Sequence, residues 1–191
     1  METIGGIECY VPALPHERLC SSRSADDFAR NGFKTVAPDY LHGDAVPEDL
    51  MTNPGTFDGG KWFAAPDTAG TRPLLDSVLA AFKADGVTSF GATGSCFGGR
   101  YVFDLAFDGV IAAAATSHPS LLQVPADLEK YAATAKAPFL INSCTTDGQF
   151  PLEAQAKTDE ILTGFAPGDP KVKAGKEGEF KSTVEWMFKH M

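Results

Sequence analysis

Positive charge is scarce in this chain: 16 Lys and Arg face 25 Asp and Glu, leaving a formal net charge of −9. That balance excludes a nucleic-acid or anionic-membrane surface, since both need clustered cations. Lysines do gather at Lys171, Lys173, Lys176 and Lys181, but acids interleave them and the stretch reads as a solvated helix face. Long apolar runs are also missing. The longest, Val110 to Ala115, is far too short to cross a bilayer. The opening Met-Glu-Thr-Ile-Gly-Gly has no basic cluster and no apolar run, so no signal peptide is expected. The 4 cysteines, at positions 9, 20, 96 and 144, are too few for a disulfide scaffold and lack metal-ligand spacing. Reduced thiols, a cytoplasmic location and no metal or cofactor are the expectation.

What is present is an ordinary globular composition, 43% hydrophobic and 21% charged. A single domain spanning 1–191 would bury roughly 70% of its unfolded surface. The chain shows no internal repeat. Strand and helix patterns alternate along it. Ile7 to Val11 reads as a strand, followed by a helix from Ser24 to the Asn31-Gly32 stop, and Phe33 to Ala37 as a buried strand. Residues 45–70 form a long Pro-, Gly- and Asp-rich excursion. The next helix puts Pro73 in its first turn, carries Leu74, Leu75, Val78, Leu79 and Phe82, and stops at Asp85-Gly86. Strands are expected at Ser89 to Thr93, Val110 to Thr116 and Pro138 to Ser143. Helices are expected from the elbow through Leu105, over Ala126 to Ala133 and over Leu152 to Leu162, and finally along Phe180, Val184, Met187 and Phe188. Such alternation predicts an α/β fold, a mostly parallel sheet with helices on both faces.

The densest chemical signal is Gly91-Ala-Thr-Gly-Ser-Cys-Phe-Gly-Gly-Arg100. A strand followed by a cysteine between glycines and then a helix has the form of a nucleophile elbow. Gly94 and Gly98 flank Cys96 two residues away on each side, where a Cβ would crowd the turn. The helix N-terminus beyond it supports negative charge on the sulfur. In a parallel α/β sheet the working groups lie on loops beyond the strand C-termini, and Cys96, His118 and Asp147 all fall there.

Those same residues carry a resemblance. Gly94-Ser-Cys-Phe-Gly-Gly-Arg100, the Ser117-His-Pro-Ser-Leu121 loop, and Ile141-Asn-Ser-Cys144 leading to Asp147 and Gln149-Phe-Pro151 resemble the dienelactone hydrolase family, its fungal branch in particular. The similarity runs from about Ala25 to the C-terminus. It implies an α/β-hydrolase-like fold and thiol-dependent hydrolysis of a small ester or lactone. It also implies Cys96 as nucleophile, Asp147 as the acid that orients a histidine, and the Phe97 N–H as an oxyanion donor. Arg100 and His118 are further candidates for binding substrate.

Two family features have no counterpart here. The family's catalytic histidine sits in a His-Gly-Phe loop between a final strand and the last helix. The matching interval, 163–170, has no histidine and is too poor in β-branched residues for that strand. The stretch from Pro12 to Arg23 is too short and polar for the family's N-terminal strand and oxyanion loop, which predicts fewer strands than the full fold. The alternative to a hydrolase of low activity is therefore a catalytically impaired or truncated paralogue that binds a small molecule or a partner. A redox-sensing thiol is a third reading.

Overall fold

The computed structural model describes residues 1–12, 23–39, 41, 55, 57–58, 61, 68–162, 172–175 and 179–191. They fall into two compact units, Met1–Val87 and Thr88–Met191.

The first unit opens with a hairpin. Strand β1 (Glu2–Ile4) pairs antiparallel with β2 (Ile7–Tyr10), Ile4 opposite Ile7. Gly5 and Gly6 both hold positive φ, 59° and 82°, as a two-residue turn matched to strand twist requires. That Gly-Gly signal was legible in the sequence and went unused. Helix α1 (Arg23–Arg30) ends as the Asn31-Gly32 signal predicts. Gly32 turns at φ 90°, its N–H bonds the Ala29 carbonyl, and the Phe33 N–H reaches back to Phe28. Beyond it the structure corrects the sequence reading. Phe33 to Ala37 is no buried strand; only β3 (Ala37–Pro38) forms, antiparallel to β2. Helix α2 (Thr68–Ala84) starts well before Pro73, which lies inside it.

Gly86, at φ 86° with nothing within 4 Å of an added Cβ, caps α2 through bonds from Gly86 to Lys83 and from Val87 to Phe82. Gly86→Ala therefore clashes with nothing and meets only left-handed strain, about 1–2 kcal/mol. A urea titration should register that loss, and an unchanged midpoint would show that the cap tolerates a side chain.

The second unit holds a parallel sheet in the order β4-β5-β6-β7, formed by Gly91–Ser95, Ala113–Ser117, Phe139–Asn142 and Val172–Gly175. Helices α3 (Phe97–Phe107), α4 (Ala126–Thr134) and α5 (Leu152–Leu162) connect successive strands, and right-handed crossovers put all three on one face. Helix α6 (Glu179–His190) covers the other face, packing on β5 and β6. Both faces of β5 are buried along its whole length. Its Ala113-Ala114-Ala115 run leaves room for a helix on each side. The strand begins at Ala113 rather than Val110 because Gly109 and Val110 are still capping α3.

Aromatic side chains fix the helical layer to the sheet. Phe139 of β6 is fully buried, with its ring 4.6 Å from Phe103 of α3 and 5.1 Å from Tyr131 of α4. The Tyr131 hydroxyl donates to the Ala137 carbonyl, and burial pushes its phenol well above the ordinary range.

Two expectations for the C-terminal region change. Lys173 is not on a helix but in β7, which pairs with β6 through Phe139–Val172 to Asn142–Gly175. A final strand before the last helix therefore exists, at 172–175; the interval 163–170 lies outside the described residues. In α6 the buried face is Thr183, Val184, Trp186 and Met187, while Phe188 is 60% exposed. Helix phase explains it: Thr183, Val184 and Met187 follow the i, i+1, i+4 stripe, and Phe188 turns off it.

Candidate active site

Cys96 links β4 to α3 and occupies the N-cap of that helix with φ 51° and ψ −115°. That conformation costs a non-glycine residue on the order of 1–3 kcal/mol and is a mark of functional sites. The neighbouring glycines make it possible. A Cβ on Gly94 would lie 2.5 Å from the Gly98 carbonyl oxygen, and one on Gly99 would lie 2.6 Å from Thr116 Oγ1 and 2.9 Å from Pro119 Cβ. Strand and helix approach too closely there for any larger residue, as the elbow pattern predicts.

The Ser117–Leu121 loop closes against the elbow. The Cys96 N–H donates to the Ser117 carbonyl (3.0 Å), and the Ser120 N–H donates to the Cys96 carbonyl (3.1 Å). The Ser120 hydroxyl lies 3.7 Å from Cys96 Sγ and is itself 1% exposed. The sequence reading picked His118 from this loop and passed over Ser120. A Ser-X-X-Ser run after the strand beside the elbow strand was the available signal.

His118 is half-buried at φ 37°, with its N–H bonded to the Asn142 carbonyl (2.8 Å). Its imidazole makes no hydrogen bond to another described residue. Nor is any imidazole bonded to Cys96 Sγ among the described residues. His16 and His42 lie outside them. His190 stands at the far end of α6. That helix starts where Ser182 and Thr183 meet Asn142, at the C-terminal end of β6, and finishes where Met187 and Met191 meet Gly91, at the start of β4. At 1.5 Å per residue His190 is roughly 12 Å from the end of the sheet that carries Cys96. Its ring lies 4.3 Å from that of Trp186, tilted by 54°, and burial and then the Lys189 ammonium hold it below the ordinary histidine range. The three residues between β7 and α6 are Lys176, Glu177 and Gly178, so no histidine stands between the final strand and the last helix in sequence.

Asp147, in the loop after β6, is held by its neighbours. Its Oδ1 accepts from the N–H groups of Gln149 (2.8 Å) and Phe150 (3.0 Å), with Phe150 buried beneath it. Its Oδ2 is buried and has no hydrogen-bond partner among the described residues. A carboxylate fixed through one oxygen and open at the other is arranged to receive a donor.

Arg100 has such partners already. Its Nη1 donates to Asp127 (2.5 Å), and its Nη2 and Nε donate to Asp104 (2.5 and 3.1 Å). Burial opposes its charge, but the two carboxylates outweigh that and hold the guanidinium above its ordinary value. The side chain ties α3 to α4, and a substrate carboxylate there would compete with two internal ones. Of the other thiols, Cys144 is exposed and Cys9 buried, with burial pushing the Cys9 thiol up. Cys20 lies outside the described residues.

Comparison with known proteins places the chain among hydrolases. The chain is 33% identical over 168 residues to Hydrolase tropI of Talaromyces stipitatus, covering 82% of this chain and 62% of that protein. It is 29% identical over 211 residues to Dienlactone hydrolase 1 of Gibberella moniliformis, covering 97% and 79%. The chain thus spans under two thirds of the first of these relatives. The crystal structure of TT1662 from Thermus thermophilus superposes with a TM-score of 0.63 at 14% identity, covering 98% of this chain and 95% of that one, a likeness of fold. The family model described as "Dienelactone hydrolase family" matches residues 20–168, well over half of the sequence. With its parallel α/β sheet and an elbow at Cys96, the chain belongs to the dienelactone hydrolase family.

Proposed function

We propose that this member of a hydrolase family cleaves small esters or lactones through an acyl-enzyme on Cys96. The observation that carries the reading is the strained Cys96 elbow, held between Gly94 and Gly99 at a helix N-terminus. The Cys96 sulfur attacks as thiolate on the substrate carbonyl carbon, a C–S bond forms, the C–O bond breaks, and the alkoxide takes a proton from water, leaving hydroxide. Hydroxide then cleaves the thioester, which releases the carboxylic acid and restores the thiolate. The Phe97 N–H, first in α3, is the donor proposed for the oxygen that becomes negative. Asp147 Oδ2 is the acid position, and among the described residues His118 is the imidazole on a loop at this end of the sheet. The relatives' names, Hydrolase tropI and Dienlactone hydrolase 1, are in keeping with this substrate class. The compartment we propose is the cytoplasm; no helix among the described residues is long and apolar enough to cross a membrane.

Incubating the chain with a small activated ester and quenching early should trap an acyl adduct on the peptide carrying Cys96, read by mass spectrometry. An adduct confined to other cysteines would overturn the mechanism.

A second reading follows because no imidazole is bonded to Cys96 among the described residues: the chain binds a small molecule without turning it over. Saturable ligand binding with no acyl adduct would favour it.

A further inference from the structure

We propose that Ser120 belongs to the nucleophile site, its hydroxyl stabilising the negative charge on Cys96 Sγ. The inference rests on the reading of Cys96 as nucleophile and extends it to a residue outside the family's triad.

Three observations meet at this side chain. The first is partnership: Ser120 is 1% exposed, and among the described residues its hydroxyl has one hydrogen-bond partner, the Cys96 sulfur at 3.7 Å. A buried hydroxyl must be satisfied, and here its oxygen accepts from the Cys96 thiol, which leaves that sulfur as the partner its proton can turn to once the thiol is ionised. The second is backbone coupling. The Ser120 N–H bonds the Cys96 carbonyl while the Cys96 N–H bonds Ser117, so the loop cannot shift without moving the nucleophile. The third is strain. The non-glycine residues with positive φ among those described are Cys96 at 51°, His118 at 37° and Leu121 at 61°. All three lie in the elbow or in the loop against it, and Ser120 sits between the two strained loop residues. Strained backbone thus flanks Ser120 in the loop and carries the sulfur in the elbow, at the two ends of this contact.

The chemistry follows from the hydroxyl's two roles. Facing a thiol it can accept the weak S–H; facing a thiolate it turns and donates an O–H···S⁻ bond, which is charge-assisted and stronger. Ser120 therefore favours the charged sulfur over the neutral one. No imidazole is bonded to Cys96 among the described residues to do so, and this makes the hydroxyl the more consequential.

The test is the pH–rate profile of Cys96 alkylation by iodoacetamide in the full chain. Peptide-resolved mass spectrometry separates Cys96 from the other thiols. Ser120→Ala should move the profile to higher pH and slow alkylation at pH 7 roughly tenfold, about the effect of one charge-assisted hydrogen bond. Ser120→Thr, which keeps the hydroxyl, should restore it. A folded Ser120→Ala protein with an unmoved profile overturns the proposal. If that variant does not fold, Ser120→Gly deletes the same hydroxyl without leaving a Cβ to repack, and its profile is read in the same way. Alkylation needs no ester turnover, so the two readings fail separately. A Ser120-dependent profile without acyl adduct sinks the hydrolase mechanism alone, and a Cys96 adduct with an unmoved profile sinks this inference alone.

Discussion

Cys96→Ala is expected to remove the thiol-dependent turnover of small activated esters, a loss of about 10³-fold or more. Deleting the nucleophile of a covalent mechanism costs on that scale because no other group can form the intermediate. The wild-type rate is expected to be slow in itself. General acid–base help is worth roughly 10²- to 10⁴-fold, and no imidazole bonds the sulfur among the described residues. The comparison must therefore be made against the rate of buffer alone. The fold should survive the change: the Cys96 side chain is only part-buried, and alanine meets the same φ of 51° as cysteine. Equal turnover before and after the substitution, in two proteins of equal thermal midpoint, would remove Cys96 from the chemistry.

Phe139→Ala is expected to cost about 3–5 kcal/mol, the range for deleting a fully buried aromatic side chain. The ring is 0% exposed and lies between α3 and α4, in edge contact with Phe103 and tilted against Tyr131. Its removal leaves a cavity lined by rings that cannot collapse, since each belongs to a different element. Against a total stability on the order of 5–15 kcal/mol, the loss is a large share. Urea unfolding followed by circular dichroism gives the value. A shift under about 1 kcal/mol would mean that the aromatic layer repacks.

The elbow was legible in the sequence because its physics is local. Gly94 and Gly99 are glycines for steric reasons that operate within a few residues of Cys96, so the pattern survives without knowledge of the rest. The helix stops at Gly32 and Gly86 were legible for the same reason, as each is a left-handed cap closed by bonds to the preceding turn. Helix α5 matched its expected span of 152–162 because a well-bounded periodic segment needs little help from elsewhere.

What only the tertiary structure decided depends on distant partners. Val172–Gly175 is a strand because β6 offers a free edge of backbone groups, not because Val-Lys-Ala-Gly favours one. Phe33 to Thr35 is not a strand although its residues would suit one, for pairing with β2 reaches only Ala37 and Pro38. Arg100 looked available to a substrate until Asp104 and Asp127, 4 and 27 residues on, closed around it. Ser120 entered only as one residue of the Ser117–Leu121 motif, and 24 residues of chain hide its approach to the sulfur. Sequence alone determined the elbow at Cys96, since its strained turn is written in adjacent glycines. Folding decided which side chains surround that sulfur, because a hydrogen bond across the sheet depends on which strands lie side by side.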